Sequence, residues 1–207
     1  MRSKLNAIQA SIVLALLLVF SLFASMGFGT AEVGYQEVFA CAFEQCSKPI
    51  YETILMEIRL PRVILALLAG FSLAAAGALM QNVTRNPLAD PYLFGIIAGA
   101  GLGATIAGLM PEAIQSVTMP IAAFVGSLVA VSIVVLVVMG NNWRRVEHLL
   151  LAGVAVSFLL SAITSFILYF GEAFATNRVI FWLMGSLARA DLEALMWIAP
   201  VTITGCL

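Results

Sequence analysis

The sequence predicts an all-α integral membrane protein with about six membrane-spanning helices. Hydrophobic residues make up 62% of the 207 residues, charged residues only 10%, and the mean hydropathy is +1.07. A soluble domain usually carries about 25% charged and about 45–50% apolar residues. Several apolar runs also approach the roughly 20 residues that a helix needs to cross a bilayer core. These observations argue against a soluble globular domain.

The charge balance and the residue inventory argue against several function classes. The chain has 10 basic and 11 acidic residues, a formal charge of −1, and therefore no basic surface for nucleic acid. One histidine and three scattered cysteines supply no cluster at metal-ligand spacing, and no phosphate loop of the form G-x-x-x-x-G-K-[ST] occurs. We therefore expect no catalytic residues, no metal site and no cofactor, with any ATP bound by a separate polypeptide.

The first predicted span covers residues 8–28 and follows Arg2 and Lys4. Basic residues ahead of a first span favour a cytoplasmic N-terminus. The most apolar part, residues 12–23, is short, so a cleaved signal peptide remains an alternative to a retained helix.

A long polar connection is predicted over residues 30–57, with five glutamates against the single Lys48. We expect it to lie on the outer side of the membrane, in the periplasm. Its Cys41 and Cys46 form a C-x4-C pair, which is either a disulfide or two unpaired thiols. Both alternatives stay open, because an oxidising compartment permits the bridge but spacing does not define the Cβ geometry.

The second predicted span covers residues 62–82, within a stretch of 22 uncharged residues between Arg62 and Arg85. Small side chains recur at every fourth position of this span, and on a helix they share one face on which another backbone can approach closely. The residues predicted for this helix packing are Gly70, Ala74 and Ala78.

A short polar elbow separates the second span from the third, residues 92–109. Asn86-Pro87 and Asp90-Pro91 break the helical hydrogen-bond pattern, because proline lacks an N–H and disfavours helix at the residue before it. The third span repeats the small-residue spacing at Gly95, Gly99 and Gly103, which are also predicted to pack against a neighbouring helix.

The remaining spans are predicted at residues 117–139, 146–170 and 192–207, with a short helix at 177–186 that is too short to cross a bilayer. The span at 146–170 carries a polar stripe with i+4 spacing. Such a stripe is either a packing seam or the wall of a translocation pathway. Its members are Gly153, Ser157, Ser161 and Ser165.

Four motifs occur in order around the second and third spans. They are RLPR at residues 59–62, G-x-x-L-A-x-x-G-x-x-x-Q at 70–81, RNPLADP at 85–91, and G-x-x-x-G-A at 95–100. In this combination the chain closely resembles the permease subunits of type II, or FecCD-like, ABC importers. Members of that family carry iron–siderophore complexes, haem or cobalamin across the bacterial inner membrane.

The resemblance implies roles for particular residues. Arg59 and Arg62, which alone would be read as interfacial anchors, would dock acidic residues of a periplasmic substrate-binding protein. The polar stripe would line the pathway, Asn141 and Asn142 would form a cytoplasmic gate, and the helix at 177–186 would line the outer vestibule.

The resemblance also implies an assembly. The permease would be a homodimer in the bacterial inner membrane, working with a cytoplasmic ABC ATPase dimer. Family members have about ten spans, so the chain is expected to be a single, truncated permease domain resembling their N-terminal part. The alternative is a truncated structural or regulatory membrane subunit without transport activity. An ion-coupled carrier is disfavoured, because such carriers usually place ionisable residues mid-span.

Overall fold

The computed structural model describes residues 6–29, 31–43, 46–140, 146–188 and 190–206. All regular secondary structure within these ranges is helical, which confirms the predicted all-α class. Four helical segments there are long and apolar enough to cross a membrane, at Ile8–Gly27, Pro49–Thr84, Val117–Met139 and Glu147–Phe170. Two further apolar helices, Ile96–Gly108 and Leu192–Cys206, are shorter than these four, and Ile96–Gly108 is also shorter than the span predicted at 92–109.

The chain divides into two compact units, the first comprising residues 1–72 and 187–207 and the second residues 73–186. The first contains α1 (Ala7–Gly27), α2 (Tyr35–Phe43), α3 (Pro49–Glu52), a π-helical segment (Thr53–Arg59), the start of α4 (Leu60–Thr84), and α9 (Leu192–Cys206). Its buried core consists of Val33, Val38 and Leu55. Much of the predicted polar connection at 30–57 is helical. The three apolar residues of the core pack its parts against one another.

The second predicted span is part of a longer helical segment. α3, the π segment and α4 run continuously over 36 residues, from Pro49 to Thr84, so helix begins well before the expected start at Arg62. Pro61 lies within this helix and is buried. The π segment ends with a bond from Leu60 N–H to the Leu55 carbonyl. A wider π turn relieves the clash between a proline ring and the preceding turn, so the helix passes through Pro61 without ending there.

The second unit contains α5 (Ile96–Gly108), α6 (Glu112–Gly140), α7 (Val146–Phe170) and α8 (Ala173–Leu183), with a 3-10 turn at Pro91–Phe94 ahead of α5. Two buried clusters hold it together. One joins α5, α6 and α8 through Ala104, Ala107, Met119, Ala123 and Val179, and the other joins α6 and α7 through Ala130, Val134, Ala152, Val156 and Leu160.

Several helix boundaries differ from those predicted. Gly95 has φ 77°, and this left-handed residue separates the 3-10 turn from α5, so the third predicted span is interrupted near its start. α6 begins at Glu112 and holds Pro120 in its interior. The short helix predicted at 177–186 begins at Ala173 and ends at Leu183.

Candidate functional site

Arg59 closes the C-terminal end of α1. Its side chain is only 8% exposed, and its two terminal nitrogens donate hydrogen bonds to the carbonyls of Met26 and Ala31. Met26 lies in the last turn of α1, where carbonyls lack partners within the helix and carry partial negative charge. The guanidinium therefore satisfies the end of one helix from a position 33 residues further along the chain.

Gly29 provides the space that the Arg59 guanidinium occupies. A Cβ atom at residue 29 would lie 2.6 Å from Arg59 Nη2 and 3.1 Å from its Cζ. Real Cβ atoms do not approach other atoms as closely as 2.6 Å, so a side chain at this position would displace the guanidinium from its carbonyl partners.

Arg62 has different surroundings from Arg59. It is half-buried, and its Nη2 donates a 3.1 Å hydrogen bond to the carbonyl of Ala188. Its Nε is buried and has no hydrogen-bond partner within the described part of the chain. Of the two arginines to which the resemblance assigns one role, Arg62 is the more exposed.

Both arginines line a cavity of about 630 Å³ in the first unit. Its other walls are mostly apolar, with Ser21 and Ser25 as polar exceptions. The two serine hydroxyls donate to the Leu18 and Leu22 carbonyls of their own helix. A guanidinium can bind a carboxylate through two parallel hydrogen bonds. The cavity therefore offers its strongest donor chemistry to an anion, at Arg62.

The two cysteines of the C-x4-C pair, for which a disulfide and free thiols were both open, are joined in the structure. Cys41, in the last turn of α2, forms a disulfide with Cys46, and their Cα atoms lie 4.4 Å apart. The third cysteine, Cys206, is not bridged. Within the described ranges, no group of three or more His, Cys, Asp or Glu side chains is arranged to hold a metal ion.

The polar stripe of α7 divides into two halves. Gly153 is buried, and a Cβ there would run into the carbonyl of Leu93 in the 3-10 turn. Ser157 is half-buried and donates a 2.8 Å hydrogen bond to the Gly153 carbonyl. Ser161 and Ser165 are exposed. The first two residues thus belong to a packing seam, and only the last two present hydroxyl groups on an open helix face.

Glycines bring the backbones of α5 and α6 together. A Cβ at Gly99 would meet the Gly126 carbonyl and the Ala130 side chain, and a Cβ at Gly103 would meet the Ala122 carbonyl. Gly126 is the reciprocal residue on α6, because its own Cβ would reach the Gly99 carbonyl. Sequence reasoning missed Gly126, although Ala122, Gly126 and Ala130 repeat the four-residue spacing of small side chains that marks α5.

The small residues of α4 lie in open surroundings. No atom lies within 4 Å of the position a Cβ would take at Gly70, and Ala74 and Ala78 are exposed. The predicted gate residues, Asn141 and Asn142, lie outside the described residues.

Gln115 is a buried polar residue that sequence analysis did not single out. Its amide nitrogen donates to the carbonyls of Gly108, at 3.0 Å, and Met110. Gly108 is the last residue of α5, so Gln115 satisfies a helix end as Arg59 does. The sequence signal that could have identified it is a single glutamine between two predicted apolar helices.

The comparisons with known proteins agree on one family. The model of the FecCD transport family matches residues 17–207. The cobalamin import system permease protein BtuC of Halobacterium salinarum is 38% identical over 157 residues, covering 74% of this chain and 41% of the relative. The hemin transport system permease protein HmuU of Yersinia pestis is 31% identical over 205 residues, covering 97% and 60%. The chain spans about half the length of these curated relatives.

One solved structure has a similar fold. It is described as an inward-facing conformation of a putative metal-chelate type ABC transporter. The TM-score is 0.72 at 28% sequence identity, over 93% of this chain and 58% of that chain.

Proposed function

Because this chain belongs to the FecCD transport family, we propose that it forms the membrane-spanning pathway of a binding-protein-dependent ABC importer for a bulky iron–siderophore, haem or cobalamin-type substrate. The match of the family model over residues 17–207 carries this proposal. It rests further on relatives named for cobalamin and hemin transport. In this proposal the chain performs no covalent chemistry, since ATP is bound and hydrolysed by a separate ATPase dimer.

The proposed transport step is a shift between two states of a permease homodimer. ATP-driven closure of the ATPases moves the helices between outward-facing and inward-facing arrangements. Ser161 and Ser165, exposed on α7, contribute uncharged hydroxyl groups to the pathway. Neutral groups bind a passing substrate weakly enough to release it. Asn141 and Asn142 would close the cytoplasmic end.

Arg62 is the proposed contact for acidic residues of the substrate-binding protein. Support comes from its place in the cavity wall and from its partial exposure, which leaves part of the side chain accessible. Arg59, the other residue predicted to dock, is buried and bonded to two carbonyls. Its part in docking is therefore to hold the end of α1 in place beside Arg62.

Uptake measurements test the proposed function. The chain is expressed together with the ATPase and binding protein of its own genome, in a strain without its own importer for the substrate supplied. We expect uptake of one of three labelled substrates: a ferric siderophore, haem or cobalamin. An ATPase variant that binds but does not hydrolyse ATP should abolish this uptake. Assembly of the three proteins without any uptake would favour the alternative, a structural or regulatory subunit.

Charge reversal tests the docking contact. Arg62→Glu should abolish association with the binding protein at moderate salt, because a carboxylate facing a carboxylate is repulsive. Arg85→Glu makes the same charge change on the elbow and should leave association unchanged. Unchanged association of Arg62→Glu would remove Arg62 from the interface.

A further inference from the structure

Five aromatic side chains form a continuous row across the end of α1 and along α2. Phe23 on α1 lies 5.6 Å from Tyr35 and 5.0 Å from Phe39, measured between ring centroids. The row extends to Phe28, 6.4 Å from Tyr35, and to Phe43, 6.3 Å from Phe39. Tyr35, Phe39 and Phe43 follow i, i+4 spacing and thus share one face of α2.

The aromatic row of α2 contacts Phe23 of α1 through Tyr35 and Phe39, and much of its ring surface stays exposed. A different face carries Val38, which is buried against Leu55 in the core of the first unit. Glu37 accepts a 2.7 Å hydrogen bond from the Ser47 hydroxyl. By contrast Phe39 is 52% and Phe43 81% exposed. α2 is thus held to the protein through Val38, while Phe39 and Phe43 keep most of their ring surface exposed beyond the contact with Phe23.

The position of α2 is fixed by the end of a membrane span. The Tyr35 hydroxyl donates a 3.4 Å hydrogen bond to the Ala24 carbonyl in the last turn of α1. Gly27 is the final residue of α1, and the Tyr35 ring lies against it. A Cβ atom at residue 27 would collide with that ring. α1 is long and apolar enough to cross a membrane. A helix joined to the end of such a span lies where the span would leave the hydrocarbon core.

We propose that α2 is an interfacial helix whose aromatic row inserts into the lipid headgroup and acyl boundary at the end of α1. Aromatic rings concentrate at this depth of a bilayer, and an amphipathic helix can lie in its plane. The partner is lipid, because the row continues onto α1 through Phe23, and α1 exposes apolar side chains such as Phe20 on the same span. The inference does not depend on which substrate is transported.

Depth-dependent fluorescence quenching tests this proposal on the whole chain in lipid vesicles. The three native tryptophans are replaced by phenylalanine, and Phe39→Trp supplies a single probe in the row. Lipids brominated near the headgroup end of the acyl chain should lower its emission, because the ring would lie at that depth. The matched control is Glu52→Trp, a probe at an exposed position of α3 in the same unit, which should be quenched by aqueous acrylamide and not by the lipid.

Two results would overturn the proposal. Quenching of Phe39→Trp by acrylamide alone would place the row in water. Quenching by neither agent would show that protein covers it. Phe43→Trp repeats the measurement at a more exposed position, where substitution disturbs little packing. Lipid quenching of both probes is the expected outcome.

Discussion

On α5, Gly99 and Gly103 lie against the backbone of α6, whereas on α4 Gly70 faces open space and Ala74 and Ala78 are exposed. The two helices carry the same four-residue spacing of small side chains. The small-residue face of α5 packs against α6, whereas at Gly70 of α4 no other described residue lies within 4 Å of the position of an added Cβ. Small-residue spacing thus identifies a surface suited to close packing, and a second helix must supply a matching gap, as α6 does with Gly126.

The largest effect is expected for Gly103→Leu. The added side chain would collide with the Ala122 carbonyl, and a backbone group cannot turn aside as a side chain can. We expect a loss of about 3 kcal/mol in the free energy of unfolding, at the upper end for overpacking. Unfolding of the chain in mixed detergent and lipid micelles measures this. An unchanged unfolding midpoint would show that α5 and α6 are not packed as described.

A smaller loss is expected for Gly153→Ala, which adds one methyl group to α7. That group would meet the carbonyl of Leu93 and approach Phe94 Cα to 3.1 Å, so the 3-10 turn must shift. We expect a loss of about 1–2 kcal/mol by the same unfolding measurement. Ser161→Ala, on the exposed part of the same stripe, is the matched control and should change stability by less than about 0.5 kcal/mol.

Gly95→Ala separates backbone strain from packing. Its φ of 77° disfavours any side chain, while the nearest atom to an added Cβ, Val156 Cγ1, lies at 3.5 Å, an ordinary contact. Backbone conformation alone should therefore cost about 1 kcal/mol. Gly95→Asn tolerates this conformation better and should lose less; equal losses would mean that space, and not φ, limits this position.

The smallest effect on stability is expected for Gly70→Leu. Nothing lies within 4 Å of the new Cβ, so the unfolding free energy should change by less than about 0.5 kcal/mol. If the face of α4 packs against another helix in the assembled transporter, the same variant should fold but fail to assemble. Normal assembly, measured by size-exclusion chromatography with the partner subunits, would show that the face meets only lipid.

Much of the fold could be predicted from the sequence because hydropathy and the small-residue spacing act locally. The end of α7 at Phe170, where the predicted span also ends, illustrates this. The boundaries near Pro61 and Gly95 could not be predicted in the same way. Pro61 marks a helix start by local rules, yet the π turn before it lets the helix continue, and that depends on Leu55 being held in a buried cluster.

The candidate site was predicted less completely than the fold. The RLPR motif located Arg59 and Arg62, but their different surroundings arise from the carbonyls of Met26 and Ala31, about 30 residues earlier in the chain. No local pattern encodes that contact. Gln115 was missed for the same reason, since an isolated amide indicates a satisfied backbone group only once the end of α5 is placed beside it.

The bonds made by Arg59 also have a mechanical consequence. They close the chain from residue 26 to residue 59 into a ring whose two ends are the last turn of α1 and the π segment that leads into α4. Any rotation of that segment must either carry the end of α1 with it or break hydrogen bonds to a charged group, at about 1.5–3 kcal/mol each. The two helices should therefore turn as one lever at this end of the first unit.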